Sequence, residues 1–226
     1  MVLVEKGEVF DITAVQPLVA EILNSEDLTT LLKALRTREH IGSALELLEN
    51  SIVPHAEANA PFCFAPADLQ SLKACGVTFV DSLLERIIEE HCDGNAARAG
   101  EARREIESQI GNELRSVHPG TMEAEALKRV LQARGLWSQY LEVGLGRYVE
   151  VFTKAQPLSA VCFGAEIGLH CDSVGNYPVP EVVLAVNAAG KIVGCSLGND
   201  ANLRDFEGCS ALLLGVAKDN NASCAI

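Results

Sequence analysis

Positive charge is scarce in this sequence: 18 Lys and Arg face 31 Asp and Glu, a formal net charge of −13 over 226 residues. Nucleic-acid binding draws on counterions released by basic side chains, so this balance argues against a polyanion partner. It is an equally poor start for binding anionic membranes. No apolar run approaches the roughly 18 residues needed to span a bilayer. The N-terminus, MVLVEKGEVFDITAV, places acids where a secretory leader needs a basic region and then a long apolar one. These absences describe a soluble, acidic protein of cytoplasmic type. Charged residues make up only 22% against 48% apolar ones, which excludes a chain disordered throughout. The length lies between one large domain and two small ones.

Motifs are missing too. The sequence holds no GxSxG elbow, no phosphate-binding P-loop and no HExxH. Gly144 and Gly146 make a GxG without the third glycine of a dinucleotide fingerprint. The five histidines show no ligand spacing, and only His170 lies near the polar part of the chain. Eight cysteines contain no CxxC pair and read as small buried hydrophobes, not as bridges or zinc ligands.

What is present divides into a helical front and a strand-rich final third. VLVEKGEVFDI alternates weakly and predicts a hairpin around Lys6 and Gly7. SEDLTTLLKALRTRE predicts a helix capped by Ser25, and GSALELLEN another. NAPFCFAPA, with two prolines, reads as a loop. DSLLERIIEEHCDG sets Leu83, Leu84, Ile87 and Ile88 on one helical face. MEAEALKRVLQARG predicts a helix from a Thr121 cap to a Gly135 stop. LWSQYLEVGL and YVEVFTK both read as strands. EVVLAVNAAGKIVGCSLGND is the clearest hairpin, turning near Asn187 to Gly190. Helices followed by strands favour an α+β class.

The hairpin gathers polar residues. With the turn centred near Ala188 and Ala189, Glu181 falls opposite Ser196 or Leu197, and Asp200 lies at the same open end. Two carboxylates there suit a hard divalent cation; they equally suit strand ends facing solvent. Arg204, Asp205 and Glu207 follow, then Lys218 and Asp219. Bases on either side of a carboxylate cluster are what an anionic substrate on a metal requires.

The run GLWSQYLEVGLG, FTKAQPLSAVCFGAEIGLH, PEVVLAV, GNDANLRDFEG, SALLLG and AKDNNASCAI resembles the fumarylacetoacetate hydrolase family. GVTFVDSLLERIIEE resembles its sugar-acid branch, which contains 2-keto-3-deoxypentonate dehydratases. The resemblance implies a mixed β-roll after a helical front part, C-terminally incomplete. Its segments are 1–66, 67–135 leading into the catalytic domain, and 136–226 as the first part of the roll. It implies Mg2+, or Mn2+ or Ca2+, on a Glu-x-Glu pair and a later Asp. Glu181 matches the second glutamate and Asp200 the aspartate, whereas Val179 stands where the first glutamate is expected.

By the same resemblance Lys218 is the active-site lysine and Arg204 a substrate-side arginine. Ser82 and Glu85 lie where relatives keep a His and Glu pair, though S-x-x-E before an apolar stripe also reads as a capping box. Lys154 and Gln156 belong to the family pattern. The implied activity dehydrates a 2-keto-3-deoxy sugar acid to a keto-acid semialdehyde. The alternatives are carbon–carbon bond hydrolysis of an acylpyruvate, or a non-catalytic truncated relative. The implied partners are a small anionic 2-keto acid and a second copy joined through the β-roll. Ala222 to Ile226 is expected as a strand at an unfinished sheet edge.

Overall fold

The computed structural model describes residues 1–35, 38–52, 59–77, 80–91 and 96–226. Strands β1 (Val2–Glu5) and β2 (Glu8–Asp11) form the expected hairpin, with Glu5 opposite Glu8. Lys6 (φ 55°) and Gly7 (φ 86°) are both left-handed, as a two-residue hairpin loop requires. Helices α1 (Val19–Leu23) and α2 (Leu28–Ala34) follow. The cap of α2 is Asp27, not Ser25: its carboxylate accepts the Thr30 N–H at 2.9 Å, within reach because Asp27 directly precedes the first turn. Strand β3 (Glu39–Ser43) completes an antiparallel sheet in the order β1-β2-β3. Helix α3 (Ala44–Asn50) opens with a full capping box between Ser43 and Glu46. Residues 59–67 carry no helix or strand, as read.

Strand β4 (Leu72–Cys75) precedes the helical run. Helix α4 (Val80–His91) buries Leu83, Leu84, Ile87 and Ile88, the predicted face. Helices α5 (Ala99–Ile106) and α6 (Asn112–Ser116) are joined by a π-helical turn at Glu107–Gly111. Helix α7 (Met122–Ala133) starts on the Thr121 cap, and Gly135 (φ 70°) lies just past its end. Helix α8 (Gln139–Leu145) replaces the strand expected from LWSQYLEVGL. Ser138 caps it, and Leu141 and Leu145, four apart, bury one helical face; the aromatic and β-branched content was outweighed by that 3.6-residue pattern. Gly144 leaves room for Leu83, whose Cδ2 would lie 2.6 Å from an added Cβ.

Strand β5 (Val151–Ala155) pairs with β4. Strands β6 (Asn176–Tyr177), β7 (Pro180–Val186), β8 (Ile192–Asp200) and β9 (Asn202–Leu203) come next, then helices α9 (Arg204–Cys209) and α10 (Leu214–Lys218) and strand β10 (Cys224–Ala225). The second antiparallel sheet has the order β10-β8-β7, and β6 pairs with β9. The β7–β8 register is Glu181 to Gly198, not Ser196 or Leu197. Two features move it: the loop 187–191 has an odd number of residues, and a bulge beside Ala185 and Val186 adds another to β8. The C-terminal segment is a strand at the sheet edge, as expected, though β10 spans only Cys224–Ala225 of the expected 222–226. Val161 lies along β10, donating its N–H to Cys224 O (2.9 Å) and accepting from Ile226 N (3.0 Å), so these backbone groups are paired.

By contacts the described chain forms two units, residues 1–74 with 153–226, and 75–152. The N-terminal stretch thus groups with the C-terminal one, which a reading in consecutive segments does not anticipate. The second unit is the helical one, and α4 to α8 share its apolar core. The first is a mixed helix-and-strand unit with small antiparallel sheets.

Candidate functional site

Strand β8 is the middle strand of its sheet, and it delivers Asp200 to a buried end. Asp200 is 8% exposed and faces Cys224 of β10. Its N–H donates to Val179 O at 2.9 Å, while the Val179 N–H is taken by the Asn199 side chain, also at 2.9 Å. A carboxylate in such a place needs partners, since desolvating an unpaired ion costs several kcal/mol, on the order of 3–5 when a buried pair is broken. Two ammonium groups supply them. Lys218 Nζ, at the end of α10, donates to Asp200 Oδ2 at 2.9 Å. Lys154 Nζ, from β5, lies 3.1 Å from Oδ1.

Lys154 does more than neutralise Asp200. Its ammonium also donates to the carbonyls of Ala201 (2.8 Å) and Lys218, and lies 3.3 Å from Ser223 Oγ. Ser223 in turn donates to the Lys218 carbonyl at 2.8 Å. One buried amine therefore ties the end of β8 to the end of α10, and so fixes Asp200 relative to Lys218. Burial pulls the Lys154 amine below its ordinary pKa, although Asp200 opposes that. Burial likewise pushes the Cys224 thiol up.

Glu181 lies on the same face of the β7–β8 ladder as Asp200, because Asp200 is two residues beyond its partner Gly198. Diagonal neighbours of this kind lie roughly 7–8 Å apart. Glu181 is exposed where Asp200 is buried. Val179 precedes Glu181 by two and shares that face, offering no oxygen. Arg204 opens α9, half-buried, with its N–H on Gly175 O at 2.7 Å.

The structure thus brings Asp200, Lys218 and Arg204 into one unit with Glu181. Ser82 and Glu85 belong to the other unit. Ser82 is the third residue of α4, inside its first turn, so it is not the N-cap; its side chain lies outside the described residues. Glu85 is exposed and clamped by Arg103, with Nη2 to Oε2 at 2.6 Å. The guanidinium beside it holds the Glu85 carboxyl below its usual value.

Sequence reasoning did not single out the central role of Lys154. A lysine in an otherwise alternating strand segment, VFTKA, is the signal: a buried-face position that carries a charge needs an opposite charge in the fold. Ser223 gave no signal beyond lying four residues after Asp219.

Two carboxylates on one ladder face are a donor set a hard divalent cation fits, Asp200 Oδ1 facing the Lys154 ammonium at 3.1 Å without a hydrogen bond of its own, with remaining positions left to water or substrate oxygens. The trio Asp200, Lys154 and Lys218 carries a surplus of one positive charge, a local reversal of the chain's overall sign.

No family model matches the chain. Over 77 residues it is 40% identical to a probable 2-keto-3-deoxyxylonate dehydratase of Haloferax volcanii. Over 76 residues it is 34% identical to a 2-dehydro-3-deoxy-D-arabinonate dehydratase of Saccharolobus solfataricus. Part of this chain is similar to 2-keto-3-deoxy sugar-acid dehydratases. Each match covers 34% of the chain and 26% of the relative, so about a quarter of each relative's length is spanned. Among solved structures, a 2-keto-3-deoxy-D-arabinonate dehydratase complexed with magnesium and 2,5-dioxopentanoate superposes with a TM-score of 0.59 at 16% identity. Its apo form does so equally. The superposition covers 99% of this chain and 59% of the dehydratase, and shows a shared fold. No described helix is long and apolar enough to cross a membrane.

Proposed function

We propose that this chain is a sugar-acid dehydratase of the fumarylacetoacetate hydrolase type, acting on a 2-keto-3-deoxy sugar acid. The observation that carries the reading is the Asp200–Lys218 pair, buried at a sheet end and held in register by Lys154. In this reading Glu181 and Asp200 would hold a divalent cation, Mg2+ by analogy with the structural neighbour. Its chemistry there would be Lewis-acid polarisation of the keto group.

The chain's own residues supply the rest. Arg204 pairs with the substrate carboxylate. Lys218 balances the negative charge that develops on the keto oxygen when C3 gives its proton to a water. Departure of the C4 hydroxyl needs a proton. Glu85 is tied to Arg103 as a carboxylate, so a water is the donor in this scheme. A second copy of the chain is the proposed protein partner. The outer face of the β7–β8 hairpin exposes Val182, Leu184, Val186, Ile192 and Leu197 for it.

The test is turnover of 2-keto-3-deoxy-pentonate with added magnesium, with an acylpyruvate in parallel. Loss of water from the sugar acid, removed in Glu181→Ala and Asp200→Ala, supports the reading. Turnover of the acylpyruvate alone, or activity indifferent to both substitutions, refutes it.

A further inference from the structure

The turn ahead of β6 holds a second group of metal-ligating side chains, apart from Asp200. A ring nitrogen of His170, the Cys171 sulfur and a carboxylate oxygen of Asp172 all lie within 4.8 Å of one another. Three consecutive residues usually fan outward; here the backbone turns them together. The Ser173 N–H donates to His170 O at 3.0 Å, closing the turn. The Asp172 N–H donates to His170 Nδ1 at 3.2 Å, which places the imidazole over the next two residues; a cation that takes a ring lone pair displaces this bond. The ring is steadied on its other side by Phe206, with centroids 5.1 Å apart.

The turn is also anchored beyond its end. Ser173 Oγ and the Val174 N–H both bond to the Asp205 carboxylate, at 2.8 and 2.9 Å. Those bonds hold the Asp205 carboxyl below its usual value, so it stays an anion and an acceptor. Asp205 stands in the first turn of α9, which ties the ligand-bearing turn to a helix. The backbone that carries the three side chains is therefore already ordered in the folded chain, which lowers the cost of gathering them.

We propose that His170, Cys171 and Asp172 form a binding site for a borderline divalent cation of the zinc type. One sulfur, one imidazole and one carboxylate are a donor set too soft for magnesium and well suited to Zn2+. Three protein ligands leave a fourth position for water. Binding exchanges the Cys171 thiol proton for the cation, the proton leaving to solvent, with no change of oxidation state. The site is independent of the dehydratase reading.

The test is titration of the full chain with Co2+ as a spectroscopic stand-in, followed by displacement with Zn2+. The expected result is a near-ultraviolet sulfur-to-cobalt absorption saturating at one equivalent and bleached by Zn2+. It should be lost in Cys171→Ser, weakened at least tenfold in His170→Ala, and unchanged in Cys209→Ser, an exposed thiol elsewhere in the chain. Absence of the band in the unsubstituted chain overturns the proposal. So does a band that survives Cys171→Ser, which would place the metal on other thiols. All three ligands are exposed or half-buried, and circular dichroism of each variant is the check that the fold is retained.

Discussion

Replacing Lys154 by methionine is the sharpest perturbation of the buried cluster, because the methionine fills similar space and removes only the ammonium. Three acceptors lose a charged donor: Asp200 Oδ1 at 3.1 Å, Ala201 O at 2.8 Å and Lys218 O. Removing one partner of a buried ion pair costs about 3–5 kcal/mol, and a hydrogen bond from a charged group contributes about 1.5–3. Two effects reduce the sum. Lys218 still faces Asp200 Oδ2, and the variant no longer desolvates the Lys154 amine, the cost visible in its lowered pKa. The expected loss is about 3–5 kcal/mol, of which Asp200→Asn in the same background recovers part. Amide hydrogen exchange in β8 under mild urea measures it. Lys154→Met within about 1 kcal/mol of the parent, or strict additivity with Asp200→Asn, refutes the idea that Lys154 organises the site.

Three further outcomes follow from the same geometry. Val179→Glu adds an oxygen on the face shared by Glu181 and Asp200, and calorimetry should show divalent-cation affinity rising at least tenfold. Glu85→Gln should cost a small part of what Lys154→Met costs at pH 7. Because the Glu85 carboxyl is lowered in the fold, its contribution is present above its ordinary value near 4.5 and fades as pH falls through the lowered one; acid titration of both proteins should show their stabilities converging there. Gly144→Ala would put a Cβ 2.6 Å from Leu83 Cδ2, and thermal unfolding should report a loss of about 1–3 kcal/mol from overpacking α8 on α4.

The elements with a full local signature were legible in the sequence. The Lys6–Gly7 turn, the four-residue apolar face of α4, the Thr121-to-Gly135 helix and the β7–β8 hairpin each carry periodicity and end signals in one stretch. Two readings failed where signals competed. In LWSQYLEVGL the strand-favouring residues hid the Leu141–Leu145 spacing, and in β8 a bulge shifted the register by an amount periodicity does not encode. Asp200 and Lys218 were marked as candidates, but their pairing depends on β8, β5 and α10 meeting over separations of 18 to 64 residues. The clustering of the N-terminal sheet with the last third of the chain is likewise a long-range outcome.

In the proposed reaction the Asp200 site holds a 2-keto acid and loosens its C3 proton. Proton NMR in D2O, with added magnesium and a 2-keto acid lacking the C4 hydroxyl, isolates that step from the loss of water. Deuterium is expected to enter C3 with the unsubstituted chain, and exchange to fall at least a hundredfold in Lys218→Ala and Asp200→Asn. No exchange above the magnesium-only rate, or exchange equal in all three proteins, would contradict it.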